Sequence, residues 1–179
     1  MRRLPAFTLA LLASLQMLPA LAATELTGQV VGISDGDTLT LLTPDRRQTK
    51  VRLAEIDTPE RRQPYGSRAR ETLADLAFQR QVRVVVEDSD RYGRTVGHVY
   101  AGDRNVNAEM VRRGAAWVYD RYNRDPKLPV LEAEARAARR GLWSLPEAER
   151  MPPWEWRRRA RAEREGEPAL SSPRRGGPG

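Results

Sequence analysis

Three segments of this chain carry residue types that could do chemistry together: Asp35-Gly36-Asp37-Thr38, Arg52 with Asp57-Thr58-Pro59-Glu60, and Asp90-Arg91-Tyr92-Gly93-Arg94. They offer carboxylates suited to one hard cation, one spare carboxylate and two guanidinium groups. Such a set can hold a phosphodiester, aim a water at it and absorb the charge that develops. Each segment alone has a simpler reading. Asp-Gly is an ordinary hairpin-turn pair. Arg52 inside Val51–Ile56 fits a solvent-facing strand position, and the third segment fits a charged turn with Gly93 at positive φ. A calcium EF-hand is excluded, because the twelfth position from Asp35 is Arg46, where a bidentate Glu should stand.

The spacing of Arg52 and Asp57 demands something of the backbone. Strict alternation puts Arg52 on one face with Ala54 and Ile56, and Asp57 on the other. For the two to share a pocket, the strand must end, twist or bulge just before Asp57. Pro59 favours this, since it restricts Thr58 and has no N–H for a ladder.

The elements that must position these residues follow from periodicity and turn chemistry. Leu26–Ile33, Thr38–Leu42 and Thr49–Ile56 read as strands, separated by turns at Asp35-Gly36 and Pro44-Asp45. Residues 58–66 form a loop. Gly66–Gln79 is helical, with Ala69, Leu73, Leu76 and Ala77 on one face. Val82–Val86 and Thr95–Ala101 are strands around a polar turn at Asp88–Gly93. Val106–Arg113 is a short helix capped by Gly114, and Trp117–Tyr119 a brief extended piece. Val130–Arg140 is an Ala-rich helix with Pro129 near its start and Gly141 just past its end. This order predicts an α+β fold, a five-stranded OB-type barrel with three attached helices, over residues 23–145. A plain α+β sandwich is the competing architecture.

The 179 residues allow one domain plus extensions. Residues 1–22 carry a charged start, an apolar run and the Ala20-Leu21-Ala22 cleavage pattern, which predicts a secretory signal peptide; an N-terminal anchor is the alternative. Losing Arg2 and Arg3 lowers the formal charge of +7 by two, so the mature chain remains basic. That favours polyanions without choosing among them. With no cysteine, disulfides and thiolate chemistry are excluded. The single histidine, His98, excludes a paired-histidine mechanism and reads as a hydrogen-bonded or solvated strand residue.

Residues 146–179 form a Pro/Trp/Arg-rich extension whose last dozen residues have a disordered composition. Trp154 and Trp156 could clip the extension to the barrel or stack bases beside Arg157-Arg158-Arg159.

The order Asp-Gly-Asp-Thr, Arg, Asp-Thr-Pro-Glu, Tyr-Gly-Arg, then Val106-Asn107 and Gly141-Leu142-Trp143-Ser144 resembles the staphylococcal nuclease family across residues 25–144. The resemblance implies a calcium-dependent, largely sequence-nonspecific nuclease that cleaves DNA and RNA and leaves 3′-phosphates. On that pattern Asp37, Asp57 and the Thr58 carbonyl hold Ca²⁺, with Asp35 supporting them. Glu60 positions or deprotonates the attacking water, and Arg52 and Arg94 bind the phosphate. Arg91 and Tyr92 contact a flanking phosphate and sugar. Tyr119 either stacks on a nucleotide or packs in the core. The loop after Glu60 and the stretch Trp117–Tyr119 are shorter than in the staphylococcal member, so substrate-flanking contacts are open.

The expected product is an exported, periplasmic or secreted monomer without stable membrane association. A non-catalytic nucleic-acid-binding barrel is the first alternative, although such copies lose the acids and arginines retained here. A basic exported protein acting on anionic lipid or cell wall explains the charge and leaves the acid–arginine set without a purpose.

Overall fold

The computed structural model describes residues 24–166. The expected signal peptide and the final stretch from Glu167 onward lie outside the described residues.

Six strands form one sheet: β1 (Glu25–Ile33), β2 (Thr38–Leu42), β3 (Gln48–Leu53), β5 (Gln81–Ser89), β6 (Thr95–Ala101) and β7 (Arg104–Asn105). Its order is β3-β2-β1-β5-β6-β7. A parallel pairing of β3 with β6, Val51 to Thr95 through Leu53 to Gly97, closes the first five strands into a barrel. Closure removes the sheet edges that would otherwise be left unpaired. A separate pair joins β4 (Ile56–Asp57) to β8 (Trp117–Val118). The predicted five-stranded barrel is thus present.

Inward positions alternate along the strands. Val51 and Leu53 are buried on either side of the half-buried Arg52. They join Val30, Leu39, Leu41, Val84 and Val99 in a core roofed by Leu73 and Leu76 of α1 (Gly66–Ala77) and Met110 of α2 (Val106–Arg112). Each fully buried Leu, Ile or Val of this kind stabilises the fold by about 1.5–3 kcal/mol relative to exposure. The expected face of α1, comprising Ala69, Leu73, Leu76 and Ala77, is the buried one.

Besides the earlier ends of β3 at Leu53 and of α1 at Ala77, the structure departs from the sequence-based reading in three larger ways. β5 runs to Ser89, past Val86, because a bulge at Glu87 absorbs one residue and pairing resumes at Asp88 with Val96. α3 spans Lys127–Ala137 and begins before Pro129. A proline in the first turn forfeits only an N–H that has no intrahelical partner there. Left-handed Arg139, at φ 50°, ends the helix before Arg140.

The third departure is a fourth helix. α4 (Pro153–Gly166) occupies the extension where no helix was expected. Its Trp154 lies 5.1 Å from Tyr119, with ring planes 6° apart. It also meets Trp117 edge-on at 6.0 Å. Trp117 in turn meets Trp143 at 4.5 Å, so α4 seats on a satellite cluster of Trp117, Ala135, Leu142 and Trp143. Of the two readings of the tryptophans, docking on the barrel describes Trp154. The charged composition of α4 hides this, because only its first turn carries the apolar anchor.

Candidate active site

The chain reverses between β1 and β2 through Asp35-Gly36-Asp37. Gly36 sits so close to the loop after β4 that a Cβ there would lie 2.7 Å from the Thr58 hydroxyl and 2.8 Å from Ala69 Cβ. Only glycine permits that approach. The Asp37 main-chain N–H donates to Asp35 Oδ1 (3.1 Å). The Asp37 carboxylate then accepts from Thr38 Oγ1 (3.0 Å) and from the Thr58 main-chain N–H (3.2 Å).

The required break before Asp57 is present. β3 ends at Leu53, and Ala54-Glu55 form a turn with Glu55 at φ 64°. Buried Asn107 pins this turn: its amide donates to Ala54 O (3.0 Å) and Gly97 O (3.3 Å), while its Oδ1 accepts from Val99 N–H (3.0 Å). The turn brings Asp57 to the side of Arg52. Arg52 Nη2 lies 3.2 Å from Asp57 Oδ1 and 3.6 Å from Asp37 Oδ2. The two aspartates therefore converge on a single guanidinium nitrogen.

Arg94 arrives from the Asp90–Gly93 turn, where Gly93 adopts φ 75° as the chain reverses. Asp90 holds Arg94 by its main-chain N–H (3.0 Å) and its Nε (2.7 Å). Arg94 Nη1 then contacts Thr38 Oγ1 at 3.4 Å, and Thr38 links it to Asp37. Those bonds to Arg94 outweigh burial and hold the Asp90 carboxyl below its ordinary range. Arg91 and Tyr92 lie exposed on the same turn, with the Arg91 guanidinium bonded to the Tyr92 hydroxyl at 2.7 Å.

Charge at the site is unbalanced toward carboxylate. Burial, then the neighbouring Asp37 charge, pushes Asp35 up to about 6. Asp57 is 1% exposed, and burial raises its pKa despite the opposing effects of Arg157 and Arg52. Burial opposes the charge on Arg52, but Asp37 and Asp57 outweigh it and raise its pKa. Crowded, buried oxygen donors with no nitrogen or sulfur ligand among them fit a hard cation. Asp37 and Asp57 offer such oxygens, and the Thr58 main chain lies against Asp37 through its N–H.

Sequence reasoning gave no role to Arg157, which α4 carries into this site. Its Nη2 bonds Asp57 Oδ2 at 2.6 Å, and its Nη1 bonds Asp57 Oδ1 at 3.2 Å and Glu60 Oε1 at 2.7 Å. The available signal was the run Arg157-Arg158-Arg159 after an aromatic anchor, but nothing in its spacing names a partner 97 residues away. Tyr119 is half-buried, with one face against Trp154. His98 lies on β6 and bonds Glu87 at 2.9 Å; with Glu55 these two form a group whose donor atoms fall within 4.8 Å. It is built from other residues than the Asp37–Asp57 pair.

A closed five-stranded barrel that gathers aspartates, a glutamate and arginines at one mouth has the architecture of a phosphodiester-cleaving OB barrel. Residues 50–145 match the family model described as staphylococcal nuclease homologue, and the chain belongs to that family. It is 48% identical over 142 residues to a chain of Escherichia coli O157:H7 named uncharacterized endonuclease, covering 79% of this chain and 90% of that one. It is 49% identical over 142 residues to a protein of Shigella flexneri named micrococcal nuclease, with 73% and 80% covered. A probable staphylococcal-like nuclease of rice is 39% identical over 112 residues, 63% of this chain and 33% of that one. The chain is thus a nuclease, a hydrolase acting on nucleic acid, in a generally metal-dependent family.

Proposed function

We propose that this nuclease is calcium-dependent and largely sequence-nonspecific, hydrolysing DNA and RNA phosphodiesters to leave 3′-phosphates. The observation that carries the reading is the convergence of Asp37 and Asp57 on Arg52, with Glu60 tied to the same Asp57 through Arg157. Calcium bound by Asp37, Asp57 and the Thr58 carbonyl would supply positive charge beside a phosphate oxygen. Extracellular modules hold calcium at roughly 10⁻⁴–10⁻³ M, which suits an exported enzyme.

The remaining work falls to the chain's own groups. Arg52 and Arg94 grip the phosphate in two-point fashion and stabilise the added negative charge of its five-coordinate transition state. Glu60 orients the attacking water and accepts its proton, while Asp35 supports Asp37 through the turn. The water oxygen bonds to phosphorus as the P–O5′ bond breaks, O5′ takes a proton from solvent and leaves as a 5′-hydroxyl, and the phosphate stays on the 3′ side. Arg91 and Tyr92, exposed on their turn, meet a flanking phosphate and sugar, and Tyr119 lies at the edge of the nucleotide path. Residues 1–22 serve export to periplasm or medium, and the mature protein acts as a monomer free of the membrane.

A digestion assay tests this reading on single-stranded DNA, duplex DNA and RNA, each with calcium, magnesium or chelator. Cleavage of both polymers in calcium, stopped by chelator and yielding 3′-phosphate ends, is the expected result. A mobility shift without cleavage in calcium would contradict it.

A further inference from the structure

Glu60 is held from two directions by the C-terminal extension. Its main-chain N–H donates to Gln63 Oε1 (3.1 Å), and the Gln63 amide donates in turn to Met151 O, just before α4. Its carboxylate, 40% exposed, receives Arg157 Nη1 at 2.7 Å and, among the described residues, no other side-chain or main-chain donor. An exposed carboxylate with a single partner is as well aimed as that partner is. Arg157 is itself well placed. Trp154 anchors its helix against Tyr119, and both Asp57 oxygens engage its fork. Burial opposes its charge, yet Asp57 and Glu60 outweigh that and raise its pKa.

We propose that Arg157 is a positioning residue for Glu60, so that α4 is a working part of the active site. The inference rests on the reading of Glu60 as the group that handles the attacking water. The fork fixes the Glu60 carboxylate relative to Asp57, one edge of the guanidinium spanning the two acids. Arg157 also shares the Asp57 oxygens with any cation bound there, so its removal frees those oxygens.

The test compares Arg157→Ala, Arg157→Lys, Glu60→Gln and the double variant Glu60→Gln/Arg157→Ala in the full chain, on single-stranded DNA at saturating calcium. Near-ultraviolet circular dichroism of the tryptophan cluster reports whether α4 stays docked. Arg157→Ala is expected to lower kcat by about 10- to 10²-fold with KM little changed, since misaimed catalytic groups cost rate more than binding. Arg157→Lys should recover part of the loss, and added guanidinium ion should recover part of it in Arg157→Ala. The double variant should be no slower than Glu60→Gln, because a residue acting through Glu60 has nothing left to position.

Full kcat in Arg157→Ala beside an inactive Glu60→Gln would overturn the inference and leave the Glu60 reading standing. A rise in kcat would make α4 a plug over the site, and extra loss in the double variant would mean that Arg157 acts on the substrate directly. Full activity in Glu60→Gln would sink the underlying reading and the inference with it.

Discussion

Arg157 and Asp57, a hundred residues apart, meet through a 2.6 Å hydrogen bond inside a site where Asp57 also contacts Arg52. Asp57 is thus the hub of the constellation, with one guanidinium from the barrel and one from the last helix. Two cations opposite Asp35, Asp37, Asp57 and Glu60 leave the cluster short of positive charge, Arg94 being engaged by Asp90. On the proposed reading, that shortage is the electrostatic reason for calcium to be drawn here.

The two arginines proposed to grip the phosphate, Arg52 and Arg94, should respond differently to substitution. Arg94→Ala removes a group held by Asp90 at the rim, so kcat should fall on the order of 10²–10³-fold with little change in stability. Arg52→Ala should lose at least as much activity and should also destabilise the fold, because buried Asp57 loses a partner. Arg52→Lys should not restore activity, since a point charge cannot replace the fork that reaches Leu53 O and Asp57 together. Kinetics and urea midpoints measured on the same preparations check this. Equal activity in Arg52→Lys and wild type would refute it.

Asp35 predicts a pH effect of definite sign. Its carboxyl lies at about 6 in the folded chain against 3.8 without perturbation, through burial and then the Asp37 charge. Folding therefore favours the protonated form. As pH rises through that window in cation-free buffer, the unfolded chain gives up the proton more readily and native stability falls. Asp57, also raised by burial, acts in the same sense, while Arg52 and Arg157 oppose it. Urea midpoints at pH 4, 5, 6 and 7 should decline, Asp35→Asn should flatten the decline, and calcium should reverse it at the upper end. A stability that climbs from pH 4 to 7 without calcium would show that Asp35 is not held in this way.

Much of this could be read from the residues because local rules and function agree there. The Arg52–Asp57 spacing demanded a break in the strand, and left-handed Glu55 supplies it. Gly93 stands where the turn needs positive φ, and the α1 stripe marks the core. What escaped were relations between distant segments. The extension has the composition of a solvated tail, and only the packing of Trp154 on Tyr119 turns Arg157 inward. The Glu87 bulge was also missed, because Glu87-Asp88-Ser89 is polar and reads as the start of a turn rather than as strand.

Gly36 gives a prediction about precision. An added methyl would meet Thr58 Oγ1 at 2.7 Å and Ala69 Cβ at 2.8 Å, so the turn or the Thr58 loop must shift. Overpacking of this kind costs about 1–3 kcal/mol. The same shift pulls Asp37 away from Thr58 N–H, and calcium affinity should weaken more than stability does. Isothermal titration with calcium beside thermal unfolding separates the two. Gly36→Ala with native calcium affinity would show that the turn tolerates the displacement.

Asn107 tests whether the turn before Asp57 is held from behind. Removing its side chain leaves buried Val99 N–H and Ala54 C=O without their partner, while Gly97 O keeps its bond from Ala54 N–H. Each orphaned group costs about 1–3 kcal/mol, so Asn107→Ala should be strongly destabilising although Asn107 touches neither aspartate. Asn107→Asp should be no better: one oxygen can still accept from Val99 N–H, but the other replaces a donor and faces the carbonyls of Ala54 and Gly97. Urea unfolding should show a lower midpoint with an unchanged slope, as expected for a weaker fold of the same compactness. Where enough Asn107→Ala remains folded, calcium should raise its midpoint less than the wild type's if the turn and the proposed metal ligands are coupled, because a displaced Asp57 weakens calcium affinity. An unshifted midpoint in cation-free buffer would mean that the Ala54-Glu55 turn holds its shape by itself, and that Asp57 owes its aim to Arg52 and Arg157 alone.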